Sequence, residues 1–224
     1  MMDSVSFFDE TRDILKVCGD WVALNKPHGL HVLPDRYDSS IPTVREYLDG
    51  RYGELFIVHR LDSGTGGILL LARNKAAHRH LCAQFERGSV YKAYTALVRG
   101  CFPVPVSIML PMAAKNSRGR YKINFKSGRR ALTSFYPEMH NDRASIVKAE
   151  LHTGRTHQIR VHLKAHGHPL IQDFLYGEKN TDKKLTLFAS ETVFTNTDNG
   201  EVRIEAPLSI FMKKMSAVFG LTKV

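Results

Sequence analysis

Apolar residues fall in short runs, some unbroken and some alternating with polar ones, punctuated by glycine, proline and asparagine, the pattern of strands joined by turns. Trp21 to Leu24 reads as a strand closed by the turn Lys26-Pro27-His28-Gly29, with a second extended piece over Leu30 to Leu33. Phe56 to Val58 and Ile68 to Ala72 are predicted as strands flanking a glycine-rich turn. Val90 to Val98 alternates as a strand, and Leu132 to Tyr136 and Ser145 to Leu151 are predicted as strands separated by the polar loop His140-Asn141-Asp142-Arg143. Thr192 to Thr195 and Val202 to Ala206 read as a hairpin around Asp198-Asn199-Gly200. Helical spacing is confined to four places. Thr43 and Glu46 form a capping box ahead of Val44, Tyr47 and Leu48, with Gly50 as the stop. Asn74 caps a helix whose Ala77, Leu81 and Phe85 face inward and which ends at Gly88. Thr156 is predicted to open a helix carrying Ile159, Arg160 and Leu163 that stops at Gly167, shortly before Pro169. A closing helix presents Phe211, Met215 and Val218 to the core.

Strands outnumber helices and often follow one another directly, so the fold class is α+β: a mixed, largely antiparallel sheet with flanking helices. A chain of 224 residues fits one domain, with or without two lobes, and buries a core without covalent staples. With no repeat, low-complexity linker or composition shift, residues 1–224 are read as a single domain. Cys18, Cys82 and Cys101 are far apart and form no C-x-x-C pair, which predicts reduced thiols and no zinc site built on them. The N-terminus lacks the basic-then-apolar order of a secretory leader, and no apolar stretch reaches membrane-spanning length. A soluble, cytoplasmic protein is expected, without a membrane partner.

Charge sharpens this picture. The 32 Lys and Arg against 22 Asp and Glu give a net charge of +10, which points to a polyanionic partner. The excess is concentrated in Lys115, Arg118, Arg120, Lys122, Lys126, Arg129 and Arg130, a stretch without a single acid. Alternation there places Arg120, Lys122, Asn124 and Lys126 on one side of a predicted strand and Tyr121, Ile123 and Phe125 on the other. An edge strand carrying lysines against aggregation has the same look. The arginine-rich density exceeds what solubility requires and favours nucleic acid.

Three segments combine residue types suited to chemistry: His59 to Gly67, Tyr91 to Val98, and His152 to Leu163. Asp62, set between Arg60 and the glycines 64, 66 and 67, is their only carboxylate. The glycines let backbone approach a ligand closely, although an ordinary turn whose Asp bonds its own backbone fits too. Hydrolysis of a sugar bond normally takes two carboxyl groups. One carboxylate among cations and aromatics suits attack at an anomeric carbon, or proton removal beside it, with the detached base kept and reused. Such an isomerisation consumes no cofactor. Arg160, placed on the second turn of its helix, would hold Asp62 ionised against burial, or simply make a structural ion pair with it. Tyr94, in register with Ala96 and Val98, belongs to the core or receives a stacked base.

Together, His-Arg-Leu-Asp-x-x-Thr-x-Gly around Asp62, the strand Tyr91-Lys92-Ala93-Tyr94-Thr95-Ala96, and Thr-Gly-Arg-Thr-His-Gln-Ile-Arg-Val-His resemble the RluA family of RNA pseudouridine synthases. The likeness extends from Asn25-Lys26-Pro27-His28-Gly29-Leu30 through Pro169-Leu170 and Asp173-x-x-Tyr176-Gly177 to Glu205-Ala206-Pro207-Leu208. It implies the pseudouridine synthase catalytic fold, with two lobes around a central RNA-binding cleft, and conversion of uridine to pseudouridine in ribosomal or transfer RNA. It further implies Asp62 as the essential aspartate, Tyr94 as the tyrosine against the target base and Arg160 as the partner of the aspartate. By the same resemblance Arg60 matches the residue that fills the space of an extruded nucleotide, and Ile159 is expected to line the base pocket. Gly66, Leu33, Gln172 and Phe188 depart from the residues common at their positions, serine, histidine, glycine and histidine. The chain begins almost at the catalytic domain, so no separate N-terminal RNA-binding module is expected, and RNA contact falls to Lys115 to Arg130. A monomer with no obligate protein partner is the default expectation.

Two other functions remain consistent with the residues. A noncatalytic RNA-binding or chaperone protein needs only the charge and the aromatics. A metal-dependent RNA hydrolase would draw on His157, His162, His166 and His168, but no acid accompanies them in an H-E-x-x-H arrangement, and no metal is expected.

Overall fold

The structure, a computed structural model, describes residues 8–35, 38, 40–48, 50–113, 119–177 and 183–221. A short helix α1 (Glu10–Asp13) leads into strands β1 (Ile14–Val17) and β2 (Trp21–Lys26), helix α2 (Val44–Leu48) and strands β3 (Phe56–Ile57) and β4 (Gly66–Ala72). Helix α3 (Lys75–Arg87) is followed by β5 (Tyr91–Arg99), β6 (Val106–Met109), β7 (Met112–Ala113), β8 (Lys122–Ile123), β9 (Leu132–His140) and β10 (Ala144–Leu151). Helix α4 (Gln158–Ala165), the hairpin β11 (Leu187–Thr195) and β12 (Glu201–Glu205), and helix α5 (Ile210–Val218) complete the chain.

The local signals explain these elements. Thr43 N–H donates to Glu46 Oε2 at 2.6 Å and Glu46 N–H to Thr43 Oγ1 at 3.4 Å, a reciprocal capping box. Asn74 Oδ1 accepts from Ala77 N–H at 2.8 Å, and Gly88 closes α3 in the left-handed region at φ +72°. Ten strands pair into one mixed sheet, in the order β1-β2-β4-β11-β5-β10-β9-β6, with β3 also on β4 and β12 on β11. Its pairs are antiparallel except β4 with β11, which meet in parallel register at Gly66↔Phe188 and Gly67↔Ala189. That junction divides the sheet into two halves with separate cores. One lies under α2 and α3 around Leu24, Leu48, Leu69 and Leu81, the other under α4 around Phe102, Phe135, Ile159 and Leu163. Tyr94 packs against both.

Several expectations need correction. Leu30 to Leu33 is no strand: His31 makes one isolated bridge to Thr43. Residues 120–126 are not one strand either. Strand β8 spans only two residues, Asn124 starts a turn by accepting Lys126 and Ser127 N–H on Oδ1, and Phe125 stands 78% exposed. Tyr121 and Ile123 do pack inward, against Met112, Ala131, Val161 and Tyr176. In α5 the buried positions are Met212 and Ser216, while Val218 faces solvent. The glycines after Asp62 make room for the protein's own chain rather than for a ligand. A Cβ on Gly66 would strike the His28 ring, and one on Gly67 would run into the Ala189 backbone across the parallel junction. Gly66, His28 and Phe188 thus form one packing unit, the His28 and Phe188 rings lying stacked at 6.1 Å, which couples two of the departures from the family's usual residues. Gln172 is less settled, since its Oε1 is buried without a partner among the described residues.

Gly67 combines φ +102° with this backbone contact. Gly67→Ala should therefore lower the unfolding free energy by about 3 kcal/mol. Gly19→Ala, where an added Cβ meets nothing within 4 Å, should change it by less than about 0.5 kcal/mol. Urea denaturation of the two variants checks this, and equal midpoints would contradict the packing described.

Candidate active site

The start of α4 is set by contacts distant in sequence. Helix formation begins at Gln158, not at Thr156, because His157 takes the left-handed conformation (φ +59°) as the residue before it. A non-glycine residue there costs on the order of 1 kcal/mol, and surrounding bonds hold it. Gln158, buried, accepts Arg155 N–H and the Thr153 hydroxyl on Oε1 and donates from Nε2 to Leu132 O and Thr133 Oγ1, tying the loop to β9. Tyr176 Oη accepts Tyr121 N–H at 2.8 Å and shares a hydrogen bond with His157 Nδ1, 2.9 Å away. On its other side the ring places Nε2 3.6 Å from Asp62 Oδ2. Burial lowers the His157 pKa, with Asp62 opposing, consistent with a neutral ring.

Arg160 therefore projects from the first turn of α4 rather than the second. Its side chain is 2% exposed, and the guanidinium meets two carboxylates. Nε and Nη2 form a fork on Asp173 at 2.8 and 2.7 Å, and Nη1 donates to Asp62 Oδ2 at 2.9 Å. Asp173 is itself fixed, accepting Leu175 and Tyr176 N–H on Oδ1. Phe174 and Tyr176 present their rings to the guanidinium at 5.3 and 5.0 Å. Burial works against the Arg160 charge, yet the carboxylates, Asp173 foremost, outweigh it and raise its pKa. The sequence pointed to one acid; Asp173 is the second. It stands outside the three motif segments, and only its place in Asp173-x-x-Tyr176-Gly177 marked it.

The loop bearing Asp62 rests on another buried cation. Lys26 Nζ donates to the carbonyls of Pro27, Leu30 and Ser63 at 3.0, 2.9 and 3.1 Å. Burial pushes its pKa down to about 7, with Asp62 pulling the other way.

Asp62, Arg60, Tyr94, Ile159 and Arg160 line a single cleft of about 320 Å³. Tyr94 Oη has no protein hydrogen bond among the described residues, and burial, reinforced by Asp62, raises its pKa well above that of a free phenol. A second cleft of about 360 Å³, lined by Leu33, Pro34 and Phe174, shares Arg60, Asp62, His157 and Arg160 with the first, so the ion pair forms the wall between them.

The basic stretch stands apart from the cleft. Arg120, Lys122, Lys126, Arg129 and Arg130 are exposed and line neither cavity; Lys115 and Arg118 lie outside the described residues. The segment is nonetheless tied to the site, through Tyr121, whose ring meets His157 edge-on at 5.3 Å, and through Arg155 Nε donating to Arg130 O. The histidines do not gather round a cation. His162 spends Nδ1 on Thr133 Oγ1 and Nε2 on Leu110 O, and His168 Nδ1 bonds Arg99 O. Among the described residues no group of three His, Cys, Asp or Glu is placed to hold a metal.

The RNA pseudouridylate synthase family profile matches residues 20–165. Ribosomal large subunit pseudouridine synthase C of Pasteurella multocida is 38% identical over 211 residues, covering 87% of this chain and 64% of that protein. A Mycoplasma pneumoniae protein described as an uncharacterized RNA pseudouridine synthase is 35% identical over 213 residues, 90% of this chain and 68% of its own. Among solved structures, human RNA pseudouridylate synthase domain containing 1 matches with a TM-score of 0.79 at 28% identity, over 92% of this chain and 86% of its own. Human RNA pseudouridylate synthase domain containing 4 matches in fold, with a TM-score of 0.75 at 22% identity over 94% and 93%. The chain spans about two thirds of the length of these curated relatives.

Lys26 offers a test of how the Asp62 loop is held. A folded-state pKa near 7 below an unfolded value of 10.5 means the unfolded chain binds more protons between those limits. Stability relative to Lys26→Met should then rise with pH from about 7 to 10.5, by at most about 1.4 kcal/mol per pH unit. At neutral pH the variant, leaving three carbonyls unpaired, should be less stable by roughly 1–3 kcal/mol. Denaturation across pH checks both; a difference independent of pH would mean that Lys26 stays charged throughout.

Proposed function

The chain belongs to the RNA pseudouridylate synthase family, with the RluA-type motifs, and from that premise we propose that it isomerises uridine to pseudouridine in RNA. The observation that carries the reading is a single carboxylate, Asp62, bonded by the buried Arg160 in the cleft that Tyr94 and Ile159 line. In the reaction the bond from uracil N1 to ribose C1′ breaks, the base rotates, C5 joins C1′, C5 loses a proton and N1 gains one. Atoms balance without water or cofactor. Asp62 serves either by bonding C1′ or by taking the C2′ proton; both routes need one ionised carboxylate. Arg160, already anchored on Asp173, offers Asp62 a fixed donor that need not move as charge shifts.

Uridine in a stacked strand hides these atoms, so the nucleotide must be extruded into the cleft. Arg60, exposed at the border of both cavities, is suited to the vacated space. The Tyr94 ring offers the base a flat wall and its protonated hydroxyl a donor. Lys122, Lys126, Arg129 and Arg130, exposed outside the cleft and without acids among them, supply contacts to phosphates beyond it. The relative named for the large ribosomal subunit makes ribosomal RNA the first substrate to try, with transfer RNA second.

Asp62→Asn should abolish pseudouridine in an unmodified large-subunit ribosomal RNA transcript while leaving RNA affinity within a few fold. Product formation by the variant would remove Asp62 from the chemistry, and wild-type protein that binds the transcript without modifying it would favour a noncatalytic RNA-binding protein. Neutralising Lys122, Lys126, Arg129 and Arg130 together should flatten the salt dependence of binding by about 0.7 log–log units per lost single-strand contact. A slope that stays put would turn this face away from RNA.

A further inference from the structure

One cation in the cleft is unclaimed by the chemistry above. Strand β5 alternates: Tyr91 turns to the back of the sheet, where its hydroxyl donates to Glu150 at 2.6 Å, while Lys92, Tyr94 and Ala96 share the cleft side. Lys148, on the neighbouring strand β10, shows how this sheet treats a lysine on its other face, with Glu191 at 3.3 Å and Glu150 at 3.6 Å. Lys92 has no such partner. Among the described residues no carboxylate lies within ion-pair distance and no hydrogen bond engages its ammonium, which faces the Phe85 ring 5.7 Å away. Burial lowers its pKa, with no acid to offset the cost. Half-buried lysine without a counter-ion is an unfavourable arrangement unless an anion arrives from outside.

The surroundings say which groups would meet that anion. The Phe85 ring is also stacked on His59, at 4.5 Å between centroids and 17° between planes. His59 Nε2 accepts Leu70 N–H at 3.0 Å, so the ring proton sits on Nδ1. Burial first, and then the Lys92 charge, push the His59 pKa down to about 3, which keeps the ring neutral and the tautomer fixed. Nδ1–H has no protein partner among the described residues, and His59, Phe85 and Lys92 all line the cleft with Asp62 and Tyr94. Lys92 is two residues from Tyr94, roughly 7 Å along the strand. That matches the reach from a pyrimidine ring to the phosphate on its own ribose.

We propose that Lys92, assisted by the Nδ1–H of His59, forms an anion subsite that takes the phosphodiester of the extruded nucleotide. The inference rests on the cleft being the uridine site and adds to it a handle on the sugar-phosphate, separate from the exposed basic segment. Arg60 and Arg155 line the same cleft and add positive potential to it.

The test compares Lys92→Met and Lys92→Arg with the wild-type chain. Binding of a labelled oligouridylate is followed across salt concentrations, and turnover on the unmodified ribosomal RNA transcript is measured beside it. Lys92→Met should weaken oligouridylate binding about 10-fold or more, as for loss of a charge-assisted bond. Its log–log salt slope should fall by about 0.7, with the turnover defect in KM more than in kcat. Lys92→Arg should restore the slope. Lys92→Met should also melt no lower than the wild type, because it removes an unpaired cation; a merely structural lysine would give a lower melting point. An unchanged slope and affinity in Lys92→Met, or a loss that tracks a fall in stability, overturns the subsite. Because oligouridylate binding needs no catalysis, that result stands apart from failure of the isomerase reading, which would appear as wild-type protein forming no pseudouridine.

Discussion

A buried guanidinium must be satisfied on every side, and at Arg160 that constraint organises the site. Its planar fork is committed to Asp173, which two backbone N–H groups lock in turn, leaving Nη1 for Asp62. The division of labour matters. If Arg160 had only Asp62, any change of charge on that carboxylate would strand a cation in the core, at a cost of several kcal/mol. With Asp173 as a permanent counter-ion, Asp62 can take up or release charge while the arginine keeps its place. Asp62 Oδ2 accepts Arg160 and faces His157 Nε2, and no described residue bonds Oδ1.

The sheet delivers Asp62 to this position by a junction with little tolerance. Strands β4 and β11 run parallel only through Gly66 and Gly67, close enough that a side chain on either collides with His28 or the Ala189 backbone. Tyr94, on the strand beside β11, belongs to both cores and so sits where the two halves meet. From the other side, Lys26 gathers three carbonyls of the Asp62 loop and of the turn after β2 onto one ammonium. A carboxylate at the rim of a cleft is thereby held by strand packing, a lysine and an arginine, none of which is free to follow a ligand.

The exposed basic segment and the cleft are mechanically connected although they share no cavity. Tyr121 N–H bonds Tyr176 Oη, Tyr176 bonds His157, and His157 faces Asp62. Phosphates held on Lys122 to Arg130 would pull on the same backbone that fixes the His157 ring. On the proposed reading, the half-buried Lys92 and the exposed arginines would act at different depths: the surface cations would attract a strand at long range, and the cleft cation would meet it after water has been displaced.

Much of the fold was legible in the sequence because it follows from neighbours in the chain. Unbroken apolar runs located β2 and β4, alternation located β5, and stretches bounded by turn residues located β9, β10 and the β11–β12 hairpin, while the caps at Thr43, Asn74 and Gly88 are local bonds that local residues predict. The spacing of the motifs around Asp62, Tyr94 and Arg160 singled out the residues that the structure gathers in one cleft. Tertiary structure alone decided the rest. Nothing local says that Asp173 rather than Asp62 takes the fork of Arg160, or that Lys92 lacks an acid when Lys148 has two, since each depends on strands brought together by the sheet. Alternation misread residues 120–126 because Phe125 sits in a turn, and α4 starts later than the expected Thr156 because His157 is held in a left-handed conformation by Tyr176, 19 positions away. A sequence fixes periods, caps and chemistry one stretch at a time; which charges end up paired is a property of burial, and burial is settled only when the halves close on each other.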